Sequence, residues 1–179
     1  MQGLLSQSRI LNSSIFGAGG SNIKSIQRGT VLFSATSTAV AITAVDINKS
    51  IVIMQVYSAG ANSTQIALVG ATLTNATTIT FEKNLAGNVD VSWQVVEFNN
   101  VKSKQYGSKA TAAASDTVAI TGIDTAKSVL VVTYFTAVNT ASIRDCFNYA
   151  VLTNSTTITF TTYNTSANTT YKWQVLEFS

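Results

Sequence analysis

The sequence predicts an all-β protein: two tandem, homologous small antiparallel β-sandwich or barrel domains behind an N-terminal arm. Three observations carry that expectation. Apolar residues alternate with period two along many short segments, as they do when one face of a strand is buried. The composition is rich in Thr and Val and contains no proline, and β-branched residues suit a pleated surface. The third is an internal repeat that spans most of the chain.

The repeat divides the chain. Asn22-Ile-Lys-Ser-Ile-Gln-Arg-Gly29 returns as Asn100-Val-Lys-Ser-Lys-Gln-Tyr-Gly107, and Val40-Ala-Ile-Thr43 returns as Val118-Ala-Ile-Thr121. Leu73 to Phe81 returns as Leu152 to Phe160 with one Ala-to-Ser change, and both copies close on a Trp-Gln-Val-x-Glu-Phe phrase, at 93–98 and 173–178. The offset grows from 78 to 80 residues, so single insertions fall in loops, near 58–70 and 84–90 of the first copy. The expected organisation is an arm at 1–21, a first β domain at 22–98 and a second at 99–179, with so short a linker that the two sit as a rigid tandem.

Each element follows from local pattern. In the first copy strands are expected at 30–34, 38–43, 50–58, 64–69, 77–81 and 89–98. Ser50–Tyr57 and Ser128–Phe135 are nearly continuous apolar runs, which reads as central strands covered on both faces. Asp46 and Asp124 open short polar segments ending at Lys49 and Lys127, the pattern of turns in which an Asp side chain bonds the following backbone. In the closing strand Trp93 and Val95 share one face and Val96 and Phe98 the other, so one face meets the domain's own core and the other a neighbour. Trp93 and Trp173 are the expected core anchors. Glu97 lies in phase with Trp93, and pairing of Glu97 with Lys24, and of Glu177 with Lys102, ties each domain's end to its beginning. The arm carries Leu4, Leu5, Ile10, Leu11, Ile15 and Phe16 ahead of a Gly-rich joint at 17–20; left exposed these side chains invite aggregation, so they are expected to be bound as an anchor.

The absent chemistry is as informative. There is no histidine, which removes the usual base near neutral pH and the commonest zinc ligand. There is no phosphate-binding P-loop, no dinucleotide turn and no calcium loop. Glu97 and Glu177 recur at one repeat position, as do Asp46 and Asp124, whereas a carboxylate pair in catalysis needs unlike partners. No catalytic residue, cofactor or metal is expected. The single cysteine, Cys146, reads as a packed thiol. The net charge of +3 rests on 11 basic and 8 acidic residues; Lys102, Lys104 and Lys109 around Tyr106 form too narrow a stripe for a nucleic-acid reader. The first residues lack the apolar core of a signal peptide, and no run approaches the length of a membrane-spanning helix.

The phrases Lys24-Ser-Ile-Gln-Arg-Gly29 and Ser92-Trp-Gln-Val-Val-Glu-Phe98 resemble a domain of tailed-bacteriophage virion proteins, found in tail fibres, tail tips and on particle surfaces. The likeness covers both copies, the second less closely, since Lys104 and Tyr106 stand where the first has Ile26 and Arg28. It implies a non-enzymatic structural component of the virion, assembled in the host cytoplasm and held by its arm to capsid or tail proteins, as a head decoration or a tail fibre or spike component. It also implies a homo-oligomer, commonly a trimer. The alternative is a carbohydrate-binding adhesin or receptor-binding module for a host-surface glycan, with Tyr134, Tyr149, Tyr163 and Tyr171 as candidate stacking residues; packing of these tyrosines within strands is the competing reading. Neither reading calls for nucleic acid or membrane as a partner.

Overall fold

The structure is a computed structural model and describes residues 22–57, 67–137, 147–163, 165 and 168–179. The arm at 1–21 and Cys146 lie outside the described residues. The fold is all-β. The N-terminal half holds strands β1 (Ile23–Phe33), β2 (Ser37–Ala41), β3 (Ser50–Tyr57), β4 (Gly70–Asn75), β5 (Thr78–Glu82) and β6 (Val89–Phe98). The C-terminal half holds β7 (Val101–Thr111), β8 (Ser115–Ala119), β9 (Ser128–Thr136), β10 (Asn148–Asn154), β11 (Thr157–Thr162) and β12 (Thr169–Phe178). Four three-stranded antiparallel sheets result, in the orders β1-β6-β3 and β2-β5-β4, then β7-β12-β9 and β10-β11-β8.

In each half the two sheets face one another across a single core. The first core gathers Val52, Val91, Trp93 and Val95 from one sheet and Ala71, Leu73, Ile79 and Phe81 from the other. The second gathers Ile158, Phe160, Tyr171, Trp173 and Val175. A strand's side chains alternate between faces, and this places Val89, Val91, Trp93, Val95 and Glu97 of β6 on the inner face.

The closing strands are the centre of the fold. Sequence pattern placed the apolar strands β3 and β9 in the middle of their sheets; the structure puts them at the edges, with β6 and β12 between them and β1 or β7. The continuous apolar run at β3 has a different cause. Its outer-face residue Ile51 is buried against Val96 and Leu176, the last from the C-terminal half.

Other boundaries shift for identifiable reasons. β1 begins at Ile23 and not at residue 30, because Lys24–Gly29 is itself ladder, paired residue by residue with β6. Gly29 does not break the strand. A Cβ there would lie 2.5 Å from Cζ2 of Trp93, and one at Gly107 would lie 2.8 Å from Cζ2 of Trp173. Each indole therefore lies flat over a glycine on the neighbouring strand, and both indole N–H groups are buried without a hydrogen-bond partner among the described residues. Packing alone holds them. β2 stops at Ala41 and not at 43, since Gln27 takes the backbone of Thr43 out of the ladder: its amide accepts from Thr43 N at 2.7 Å and donates to Thr43 O at 2.8 Å. The strand expected at 64–69 is β4, at Gly70–Asn75; residues 64–66 lie outside the described residues. The small residues Gly70 and Ala71 concealed it, and Gly70 is small because Phe135 and Lys172 press on it, each 3.0 Å from where its Cβ would be.

Trp93→Ala is expected to lower unfolding free energy by about 3–5 kcal/mol, the range for a large aromatic removed from a core. Gly29→Ala, which adds a methyl group where the indole lies, should cost about 1–3 kcal/mol. Urea titration of the two variants measures both.

Candidate functional site

No group of three or more His, Cys, Asp or Glu side chains comes together among the described residues. The side chains with chemical character are instead organised as structural ties, as a junction between halves and as two open faces.

The ties are built around buried glutamates. Glu97, at the end of β6, accepts from Lys24 Nζ at 2.8 Å, Ser25 Oγ at 3.1 Å and the backbone N–H of Asp46 at 3.0 Å. Glu177 repeats this with Lys102 Nζ at 2.8 Å, Ser103 Oγ at 3.0 Å and Asp124 N–H at 3.0 Å. Strand pairing brings Lys24 and Ser25 to the last residues of β6. The third donor comes from a short 3-10 turn, Ile47–Lys49, whose cap Asp46 accepts from Asn48 N, as Asp124 does from Ala126 N ahead of Thr125–Lys127. A carboxylate this buried is stable as an anion only when its oxygens are filled. Burial pushes the Glu97 carboxyl up, but the Lys24, Asp46 and Ser25 hydrogen bonds outweigh it and hold its pKa below the usual value. At Glu177 the Lys102 hydrogen bond and the Asp124 N–H bring it down to about 2.

The three lysines of the basic stretch are all engaged with the protein's own acceptors. Lys102 holds Glu177, Lys109 lies 2.8 Å from Asp116, and Lys104 donates to the carbonyl of Ile47 at 2.8 Å. This last contact crosses between halves, and burial lowers the Lys104 pKa to about 8 against the opposing pull of Asp46.

The junction joins unlike surfaces. The outer face of sheet β7-β12-β9 rests on the free edges of β3 and β4. Gln174, 5% exposed, donates to Val52 O at 3.2 Å and accepts from Val52 N at 3.1 Å, so its amide acts as one more strand residue along β3. Thr133 Oγ1 accepts from Ala71 N at 2.9 Å on the edge of β4. Lys172 pairs with Glu82 at 2.7 Å. Ile51, Val96 and Leu176 form a small separate core with Phe98 and Phe178, whose rings meet edge to face at 5.1 Å.

The four candidate tyrosines separate into two pairs. Tyr171 is fully buried and packs on Phe160 and Tyr134, with its hydroxyl bonded to Thr162. Tyr149 and Tyr163 project outward and, with Phe147, Thr161 and Ala114, line an open hollow of about 450 Å³. On the N-terminal half, Tyr57, Gln55, Asp90 and Ser92 line another of about 370 Å³. The anchor residues Leu4, Leu5, Ile10, Leu11, Ile15 and Phe16 lie outside the described residues.

Sequence reasoning missed Gln27, Gln105 and Gln174, whose amides bond backbone 16 residues away in the first two and 122 residues away in the third. Gln105 repeats the two bonds of Gln27, at 2.7 and 2.9 Å to Thr121. The only signal was that all three stand at matched positions of the repeat. Comparison with family models, with curated proteins and with solved structures returns no match.

Two outcomes are expected. A glutamate whose folded-state pKa is depressed contributes stability that is complete above its unfolded value, near 4.5, and is lost as pH falls toward about 2. Thermal midpoints should therefore drop across that window, and Glu177→Gln should flatten the drop. Gln174→Ala strands the N–H and carbonyl of Val52 and should cost about 1–3 kcal/mol by urea titration.

Proposed function

We propose that this protein is a non-enzymatic structural component of a bacteriophage virion, fixed by its N-terminal arm and displaying its β halves on the particle, as a head decoration or as part of a tail fibre or spike. The observation that carries the reading is the resemblance of the phrases at 24–29 and 92–98 to the virion domain. Those same phrases supply the indole-on-glycine contact and the Lys24–Glu97 tie, so the resemblance lies in residues that make the scaffold. Further support comes from where the polar side chains go. Glu97, Glu177, Gln27, Gln105, Gln174 and Lys104 are committed to holding backbone elsewhere in the fold, as expected of a part whose task is to keep its shape. The arm, with its apolar residues, is the segment that docks, and capsid or tail proteins are its partners.

A second reading has an observation of its own. The hollow beside Tyr149, Tyr163 and Phe147 combines exposed aromatic rings with the hydroxyl-bearing Thr161, the elements with which proteins stack on and hydrogen-bond sugars. A host-surface glycan is the ligand this would take.

Removal of residues 1–20 tests the first reading. The truncated chain should fold and should fail to incorporate into particles; incorporation at the full-length level would overturn the anchoring role. Defined hits on a glycan array, lost in Tyr163→Ala, would favour the adhesin instead.

A further inference from the structure

The two halves meet through different surfaces, and each half retains the surface that the other has used. Matched positions differ in burial in opposite senses. On the outer face, Gln174 and Thr133 are covered by the N-terminal half, while their counterparts Gln94 and Gln55 are exposed. On the edge seam the pattern inverts: Val52, Gly70 and Ala71 are buried, while Leu130, Tyr149 and Ala150 are partly or fully uncovered. Among the described residues no side chain caps the β9 edge at Leu130 as Gln174 caps β3 at Val52.

We infer that copies of this chain associate head to tail, the outer face of one N-terminal half (β6 and β3) seating on the β9–β10 seam of the next chain's C-terminal half. Gln94, whose Oε1 accepts from Arg28 Nε at 3.3 Å in the single chain, exchanges that bond to cap Leu130 as Gln174 caps Val52, and Gln55 reaches Ala150 as Thr133 reaches Ala71. The side-chain volumes are exchanged in a complementary way. Within the chain, Gly70 is small and faces the large Lys172. At the open surfaces the large residue is Tyr149, 60% exposed, and the position of Lys172 is held by Ser92. Ser92 lines the hollow of about 370 Å³ between Thr30, Gln55, Tyr57 and Asp90, which gives the Tyr149 ring a place to enter. Conserving total volume while exchanging large and small is what a repacked contact tolerates best.

A contact between unlike surfaces closes into a ring or runs on as a filament, according to its operator. Here equivalent residues of the two halves touch. Phe98 meets Phe178 at 5.1 Å and Asn22 meets Asn100 at 2.9 Å. The operator that relates the halves therefore shifts the phenylalanine rings by no more than the 5.1 Å between them, and that separation also bounds the translation along its axis. So small a shift favours a closed ring, with the phenylalanines near its centre, over an extended filament. The inference stands on these surfaces alone and is independent of whether the chain belongs to a virion.

The test is the mass of the full chain by light scattering across the micromolar range, with Ser92→Trp to fill the hollow and Tyr149→Lys to spoil the seam. Both residues are exposed, so circular dichroism should show unchanged folding. The parent chain should form one oligomer of fixed mass. Each variant alone should self-associate at least about tenfold more weakly, as for loss of a central interface contact. Mixed, the two variants should form a one-to-one dimer and nothing larger, because the mixture retains one intact face and one intact seam. A monomeric parent chain, an oligomer unaffected by either substitution, or a mixture that yields no dimer would each overturn the inference.

Discussion

Each half of this protein depends on its last strand lying between its first and third. A closing strand at the centre of a sheet must satisfy backbone on both sides and present side chains to two faces, and β6 and β12 carry the residues for it. An indole lies over a glycine of the neighbouring strand. At the strand's next-to-last residue, a glutamate collects a lysine and a serine from the first strand and a backbone N–H from the turn before the third. Since the partners of that glutamate lie on β1 and before β3, the tie cannot form until the ends of the half have come together. It therefore works as a lock on the finished topology.

How much of this was legible follows from the range of each interaction. The closing strand was read to the residue, because alternation and the Trp are local signals. The start of β1 was not, since Lys-Ser-Ile-Gln-Arg shows no clear alternation and owes its strand conformation to pairing with residues some seventy positions later. The edge positions of β3 and β9 were misjudged because an apolar run reports burial without saying what does the burying. At β3 it is partly the other half of the chain. A clue to the junction was present all the same: the repeat changes character at Ser92 and Lys172, at Gly70 and Tyr149, and at Ile26 and Lys104. Positions that diverge between otherwise matched segments mark the surfaces whose neighbours differ.

Edges of open sheets need protection, and proteins commonly supply it with charge or proline. This chain has few charges and no proline. Side-chain amides and hydroxyls take over: Gln27 and Gln105 each bind both groups of one backbone unit, Gln174 does the same along β3, and Thr133 caps β4. Such caps are directional and specific to one partner. A charge-poor surface then need not be a sticky one, and the composition that looked merely strand-forming is also the means by which the edges are sealed.

Because each half depends on its central closing strand, that strand is the last part of the half to yield, and native-state amide hydrogen exchange measures this directly. Amides of β6 and β12 should exchange slowest, through an opening as costly as global unfolding, with the outer strands β2 and β10 exchanging through smaller openings. Exchange from β6 or β12 that is faster than from those strands would contradict the account.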